Sequence, residues 1–136
     1  PVLPVQPGLF ETVGPSGLRY AVLMRPDGSF VSPQNPARRG EVIRMFATGL
    51  GAVDPPTHTN YVGQGQEVEA TVIVGVNHAG VRVLRAQYAP GMIGIYTVDF
   101  EIPQDTEAGP ERPLVLAVVG DDGNLIFSNG SVVPIE

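Results

Sequence analysis

Ile95-Tyr96-Thr97-Val98-Asp99-Phe100-Glu101-Ile102 decides the fold. In an extended chain successive side chains point to opposite faces, so Tyr96, Val98, Phe100 and Ile102 share one side and Thr97, Asp99 and Glu101 the other. One apolar face and one polar face is the pattern of a half-buried antiparallel strand. The same period of two recurs on either side of this stretch. Over residues 67–74, Val68, Ala70, Val72 and Val74 face inward, with Glu67, Glu69 and Thr71 outward. Over residues 18–24, Leu18, Tyr20, Val22 and Met24 share a face, while Arg19 and Arg25 point away. Helical periodicity is nearly absent.

Other runs are less regular. Residues 41–48 are apolar on both faces except at Arg44 and stop at Gly49-Leu50-Gly51. Residues 81–88 change phase between Val83 and Leu84, which predicts a β-bulge. Residues 114–119 are apolar on both faces, so one side is expected to meet another layer or a partner. Asp121-Asp122-Gly123-Asn124 lies between apolar runs and predicts a tight hairpin, because glycine adopts the positive φ that such a turn requires. Residues 76–80 read as a second, looser hairpin connection, and 131–135 as a closing strand. The expected architecture is all-β: an immunoglobulin-like antiparallel β-sandwich of seven to eight strands plus an N-terminal edge strand or arm. Residues 1–7 form that strand or arm, and residues 8–136 form the sandwich. Pro1, Pro4 and Pro7 cannot donate to a ladder, which confines Val2, Leu3 and Val5 to an edge or an extended arm.

Composition narrows the chemistry. Seventeen glycines and fourteen prolines in 136 residues suit many short strands joined by turns. All eight basic residues are Arg, the longest basic run is Arg38-Arg39, and the formal net charge is −6, so no footprint for nucleic acid is expected. Without Lys there is no Schiff-base chemistry. With no Cys, disulfides and thiolate sites are excluded. No apolar run is long enough for a membrane span. A chain that opens at Pro1 reads as a processed product, a trimmed piece, or a sequence taken from the material itself.

Several blocks carry a family resemblance. They are Pro7-Gly8-Leu9-Phe10, Pro26-Asp27-Gly28-Ser29, and Ser32-Pro33-Gln34-Asn35-Pro36-Ala37-Arg38-Arg39-Gly40, followed by Ala47-Thr48-Gly49-Leu50-Gly51. The pattern resumes at Tyr88-Ala89-Pro90-Gly91 and runs from Ile93-Gly94-Ile95-Tyr96 to Ile102-Pro103. In order and spacing the chain resembles, over roughly residues 7–135, the uncharacterised C-terminal domain of secreted proteins from Solibacter-type soil bacteria, itself similar to IPT/TIG immunoglobulin-like domains. Val76-Asn77-His78-Ala79-Gly80 replaces a shorter glycine hairpin of that family, and Thr97-Val98-Asp99 stands where Gln-Val-Asn is common. The resemblance implies a secreted bacterial module and supplies no catalytic residues. It also implies that a segment like residues 2–7 is the last strand of a preceding domain, left here without its usual sheet.

The side chains with chemistry to offer are few. His58, four residues after Asp54, and His78 are the only histidines; both read as solvated loop residues, since they lack metal-ligand spacing. The acidic hairpin at residues 121–124 lacks the twelve-residue calcium loop with its closing Glu. Glu67 with Glu69, and Asp99 with Glu101, are carboxylate pairs at strand spacing, the formal requirement of glycoside hydrolysis, but they read as solvent-facing edge charges. Gly14-Pro15-Ser16-Gly17 fails the nucleophile-elbow spacing. Asn129-Gly130-Ser131 matches an N-glycosylation acceptor. Of the four tyrosines, Tyr20 and Tyr96 fall on core faces, which leaves Tyr61 and Tyr88 as candidates for a glycan platform.

These readings converge on a non-enzymatic extracellular or cell-surface structural module without cofactors. Its expected partners are further copies of itself or neighbouring domains of a secreted protein. Self-assembly would proceed by donation of the strand that holds Val2, Leu3 and Val5 to an open sheet edge of the next copy; the same strand folding back on its own sandwich is the alternative. The competing function is a carbohydrate-binding or adhesion module of a larger secreted protein.

Overall fold

Short β-branched runs punctuated by glycine and proline fold here into two stacked sheets. The computed structural model describes residues 5–13, 17, 19–51, 53–54, 67–89, 91–92, 94–120 and 122–136. Among them the strands are β1 (Val5–Leu9), β2 (Glu11–Val13), β3 (Arg19–Ala21), β4 (Leu23–Met24), β5 (Val42–Leu50), β6 (Val53–Asp54) and β7 (Glu67–Val68). They continue as β8 (Val72–Val76), β9 (Ala79–Val81), β10 (Val83–Tyr88), β11 (Tyr96–Glu101), β12 (Gly109–Val119), β13 (Leu125–Phe127) and β14 (Ser131–Ile135). One sheet runs β1-β5-β11-β10-β7-β6, with β4 also on β5; the other runs β2-β3-β14-β12-β8-β9, with β13 on β12. The fold is an immunoglobulin-like β-sandwich. Among the described residues no helix is long and apolar enough to cross a membrane.

The core lies between the sheets. From the first come Ile43, Met45, Ala47, Val98 and Phe100; from the second, Val74, Val76, Leu114, Leu116, Val118 and Val133, each almost wholly buried. Burying one such side chain contributes about 1.5–3 kcal/mol, so this interdigitated layer is what orients everything outside it. The opening octet behaves as its alternation requires: β11 pairs antiparallel with β5 from Tyr96↔Ala47 to Glu101↔Val42, placing Val98 and Phe100 inward. Thr97 departs from it. It points outward yet is only 3% exposed, and its Oγ1 has no hydrogen-bond partner among the described residues. The bulge expected after Val83 is present, as a register shift between Val83 and Arg85 against β11.

Two runs read as single strands are each divided between the sheets. Residues 67–74 become β7 in the first sheet and β8 in the second, and the inward phase of Val68, Ala70, Val72 and Val74 carries through the crossing. Residues 19–24 become β3 and β4. The crossing at Val22 rephases the chain, so Leu23 is buried while Val22 and Met24 are half-buried. Arg25, expected to face water, is buried at 8% exposure. The looser connection expected at residues 76–80 is instead a two-residue turn. Asn77 and His78 both have positive φ (53° and 65°) between the paired Val76 and Ala79, the backbone of a type I′ hairpin. The sheets are antiparallel except where β14 lies parallel to β3 through Val132↔Tyr20.

Candidate functional site

The N-terminal edge comes first, because the sequence points there. Val5 opens β1 and pairs with Leu50 of the same chain; after an irregularity the ladder resumes at Gly8↔Thr48 and Leu9↔Ala47. Pro7, without an N–H, lies in the gap. Among the described residues Val5↔Leu50 is the outermost pair of this ladder. Val2 and Leu3 lie outside the described residues. The strand thus runs on through Leu9, past the expected boundary at residue 7.

The far side of β1 is closed by one side chain. The Leu9 N–H donates to Asn129 Oδ1 (2.8 Å), while Asn129 Nδ2 donates to the Leu9 carbonyl (3.4 Å) and to Glu11 Oε1 (2.7 Å). A primary amide has the donor and acceptor of a peptide group, so Asn129 serves β1 as a one-residue neighbouring strand. The same nitrogen would have to be free to carry a glycan, and here it is engaged.

The outer face of the first sheet is half charged and half apolar. Arg44 grips Asp99 with two bonds (2.8 and 3.1 Å), and Arg85 pairs with Glu67 (2.8 Å), each across adjacent strands. The hydrogen bond to Asp99 raises the Arg44 pKa further above its ordinary value. Next to this ladder, Phe10, Val22, Phe30, Phe46, Met92 and Ile95 line a groove of about 260 Å³. Phe30 is 56% exposed, far more than an aromatic ring in a closed surface.

The second sheet also presents apolar side chains outward. Leu125 and Phe127 stand on β13, opposite Val119 and Ala117 of β12, with Phe127 60% exposed. Between this ridge and the Asn77–His78 turn lies a trough of about 290 Å³ whose floor includes Ile73, Gly75 and Val115. Gly75 and Gly80 pair across β8 and β9; the space over Gly80 is open, whereas a Cβ at Gly75 would press on Val115 Cγ1 at 3.3 Å.

The remaining candidates are placed as follows. Tyr88 is buried at 4% exposure. Its ring packs on Tyr96 (centroids 5.1 Å apart, planes at 59°), and its hydroxyl accepts the Gly94 N–H (2.6 Å). The expectation of an exposed Tyr88 is therefore corrected: inward phase after the β10 bulge carries it into the core. Tyr61, His58 and Asp121 lie outside the described residues. His78 is exposed at the hairpin tip. Asp122 accepts the Asn124 N–H and Nδ2–H (3.0 Å each), and the former chiefly holds its carboxyl below the ordinary value. Asp27 is lowered likewise, first by the Ser29 hydroxyl and then by the Ser29 N–H. Glu67 and Asp99 are held in ion pairs, so neither forms a facing pair with its strand neighbour. Among the described residues no three His, Cys, Asp or Glu side chains gather closely enough to hold a metal ion.

No family model, curated protein or solved structure matches the chain. Sequence reasoning missed the apolar groove, because its six residues come from five separate stretches of chain. The available signal was Phe46, an aromatic ring on the same phase as Arg44 in a strand that is otherwise apolar on both faces.

Proposed function

We propose that this chain is a non-enzymatic structural module of an extracellular bacterial assembly, joined to further copies by donation of its N-terminal strand. The observation that supports the reading is the place of β1, which among the described residues lies at the edge of the first sheet, paired on one side to β5. A segment bearing Val2 and Leu3 is apolar and proline-bounded. Its natural recipient is a sheet edge on another copy, where main-chain hydrogen bonds supply affinity and alternate side chains supply register. Such a contact joins unlike surfaces and propagates unless it closes a ring.

Deleting residues 1–4 tests this cleanly, since β1 and its pairing to β5 remain. The shortened chain should keep its melting temperature and lose assembly in electron micrographs. Unchanged polymers after the deletion would refute strand donation.

A carbohydrate-binding or adhesion module is the second reading. It is favoured by a polar cleft lined by Arg25, Asp27, Ser29, Asn35, Arg38 and Glu41 beside the exposed Phe30. Sugars are commonly held by such polar side chains with an aromatic face alongside. Glycan-array binding that disappears on Asn35→Ala would favour this reading; an array without signal would remove it.

A further inference from the structure

We infer that Asn129 is a site of covalent self-modification: the Gly130 nitrogen displaces its side-chain ammonia, and the carboxylate that results releases the outer edge of β1. The chemistry needs only water and this chain's own atoms, and it stands whether or not strands are donated between copies.

Asn129-Gly130 is the one Asn-Gly pair in the sequence. Attack on a side-chain amide by the next backbone nitrogen closes a succinimide ring. A side chain on that next residue obstructs the approach, and glycine has none. Both residues are exposed, so water reaches the reaction, and a Cβ at Gly130 would meet nothing within 4 Å. The Gly130 N–H donates to no group among the described residues, so its nitrogen gives up no hydrogen bond to react. In the first step the Gly130 nitrogen yields its proton to solvent and bonds to Asn129 Cγ. The Cγ–Nδ2 bond then breaks, and Nδ2 takes up a proton and leaves as ammonia. Water opens the succinimide at either carbonyl, giving aspartate or isoaspartate at position 129. Nothing is oxidised or reduced.

The place of this amide in the fold makes its loss consequential. Nδ2 supplies two of the three bonds that cap β1, to the Leu9 carbonyl (3.4 Å) and to Glu11 Oε1 (2.7 Å). Glu11 Oε2 is buried without a partner among the described residues, so the Asn129 amide is what holds this carboxylate. Putting oxygen in place of Nδ2 sets one carboxylate against another and leaves Glu11 and the Leu9 carbonyl without their donor. Like charges this close repel, so side chain 129 swings away and gives up its contact with the Leu9 N–H (2.8 Å). The outer side of β1 is then an uncapped sheet edge. While the cap is closed it guards itself: the three bonds hold the amide in place, and ring closure waits for local opening of the β1 edge.

The full chain, incubated in mildly alkaline buffer and followed peptide by peptide in a mass spectrometer, gives the test. Position 129 should gain the mass difference between OH and NH2, and part of the product should accept methyl groups from an isoaspartyl methyltransferase. Asn35, Asn77 and Asn124 should keep their amides and serve as internal references. Gly130→Ala should preserve the amide at 129 through the same incubation. Glu11→Ala should speed its loss at least about tenfold by removing a charge-assisted bond. An amide at 129 that lasts as long as the other three would overturn the inference, and an unchanged rate in Glu11→Ala would contradict the guarding cap. Release of the edge is read separately, by amide exchange at Leu9. Asn129→Asp should speed that exchange at least about tenfold, and adding Glu11→Gln, whose amide donates to the new carboxylate, should slow it again. Exchange unchanged by Asn129→Asp, or equally fast in the double variant, would overturn the release. Circular dichroism of each variant shows that it is folded.

Discussion

Among the described residues Arg25 is the one arginine that the fold takes out of water. Its Nε donates to Glu41 Oε2 (2.7 Å) and its Nη2 to the carbonyls of Pro36 (2.6 Å) and Asn35 (3.3 Å), while Nη1 has no partner among the described residues. A buried pair of this kind is weak evidence for stability, but removing one partner strands the other's charge. Glu41→Ala is expected to cost about 3 kcal/mol in urea unfolding, and Arg25→Met markedly less, because it removes the charge and keeps the volume. Equal losses would show that the pair itself holds the loop. Tyr96 gives a second test at this scale. Burial, followed by the neighbouring Tyr88, pushes its phenol from the ordinary 10.0 up to about 12, and its hydroxyl donates to the Gly51 carbonyl (2.7 Å). A raised pKa means that the folded state holds the proton while the unfolded chain releases it. Stability is therefore complete below pH 10 and falls by about 2 to 3 kcal/mol as pH rises towards 12. Unfolding midpoints across that range should show the decline, and Tyr96→Phe should flatten it.

Among the elements, the hairpin between β8 and β9 and the clamp on β1 make opposite demands on sequence. His78 at φ 65° occupies a backbone region that side chains with a Cβ adopt at a cost, although Asn and His tolerate it better than most. His78→Gly should raise stability by about 0.5 kcal/mol, read as a higher melting temperature. Asn129→Ala should cost about 1 to 2 kcal/mol and speed amide exchange at Leu9, whose N–H it leaves without an acceptor. The hairpin shows how much of the fold was legible in the chain. Alternation marked β11, the bulge after Val83 and the Gly123 turn, because each is a local pattern whose physical cause is also local. It could not mark the crossing between β7 and β8, because an inward phase looks the same whichever sheet it serves, nor the crossing at Val22, where the phase shifts inside an unbroken run of alternating residues. Arg25 read as exposed for a different reason: its partner Glu41 is distant in sequence and is brought near only by the fold. The apolar surfaces on the outer faces were not legible, because the residues that line them are far apart in sequence.

For the whole molecule, the formal charge of −6 sets copies against one another, so the strand donation proposed here has to overcome that repulsion. Added salt screens the repulsion over about 8 Å at physiological strength and leaves apolar contacts intact. Assembly should therefore strengthen from low to moderate salt; weakening would point to ion pairs across the contact. In the proposed assembly the backbone edge at the N-terminal strand carries the contact between copies. Sedimentation velocity of the full chain over a wide concentration range tests that most directly. The expected result is a series of species extending beyond the dimer and growing with concentration; a single monomeric boundary at every concentration would contradict it.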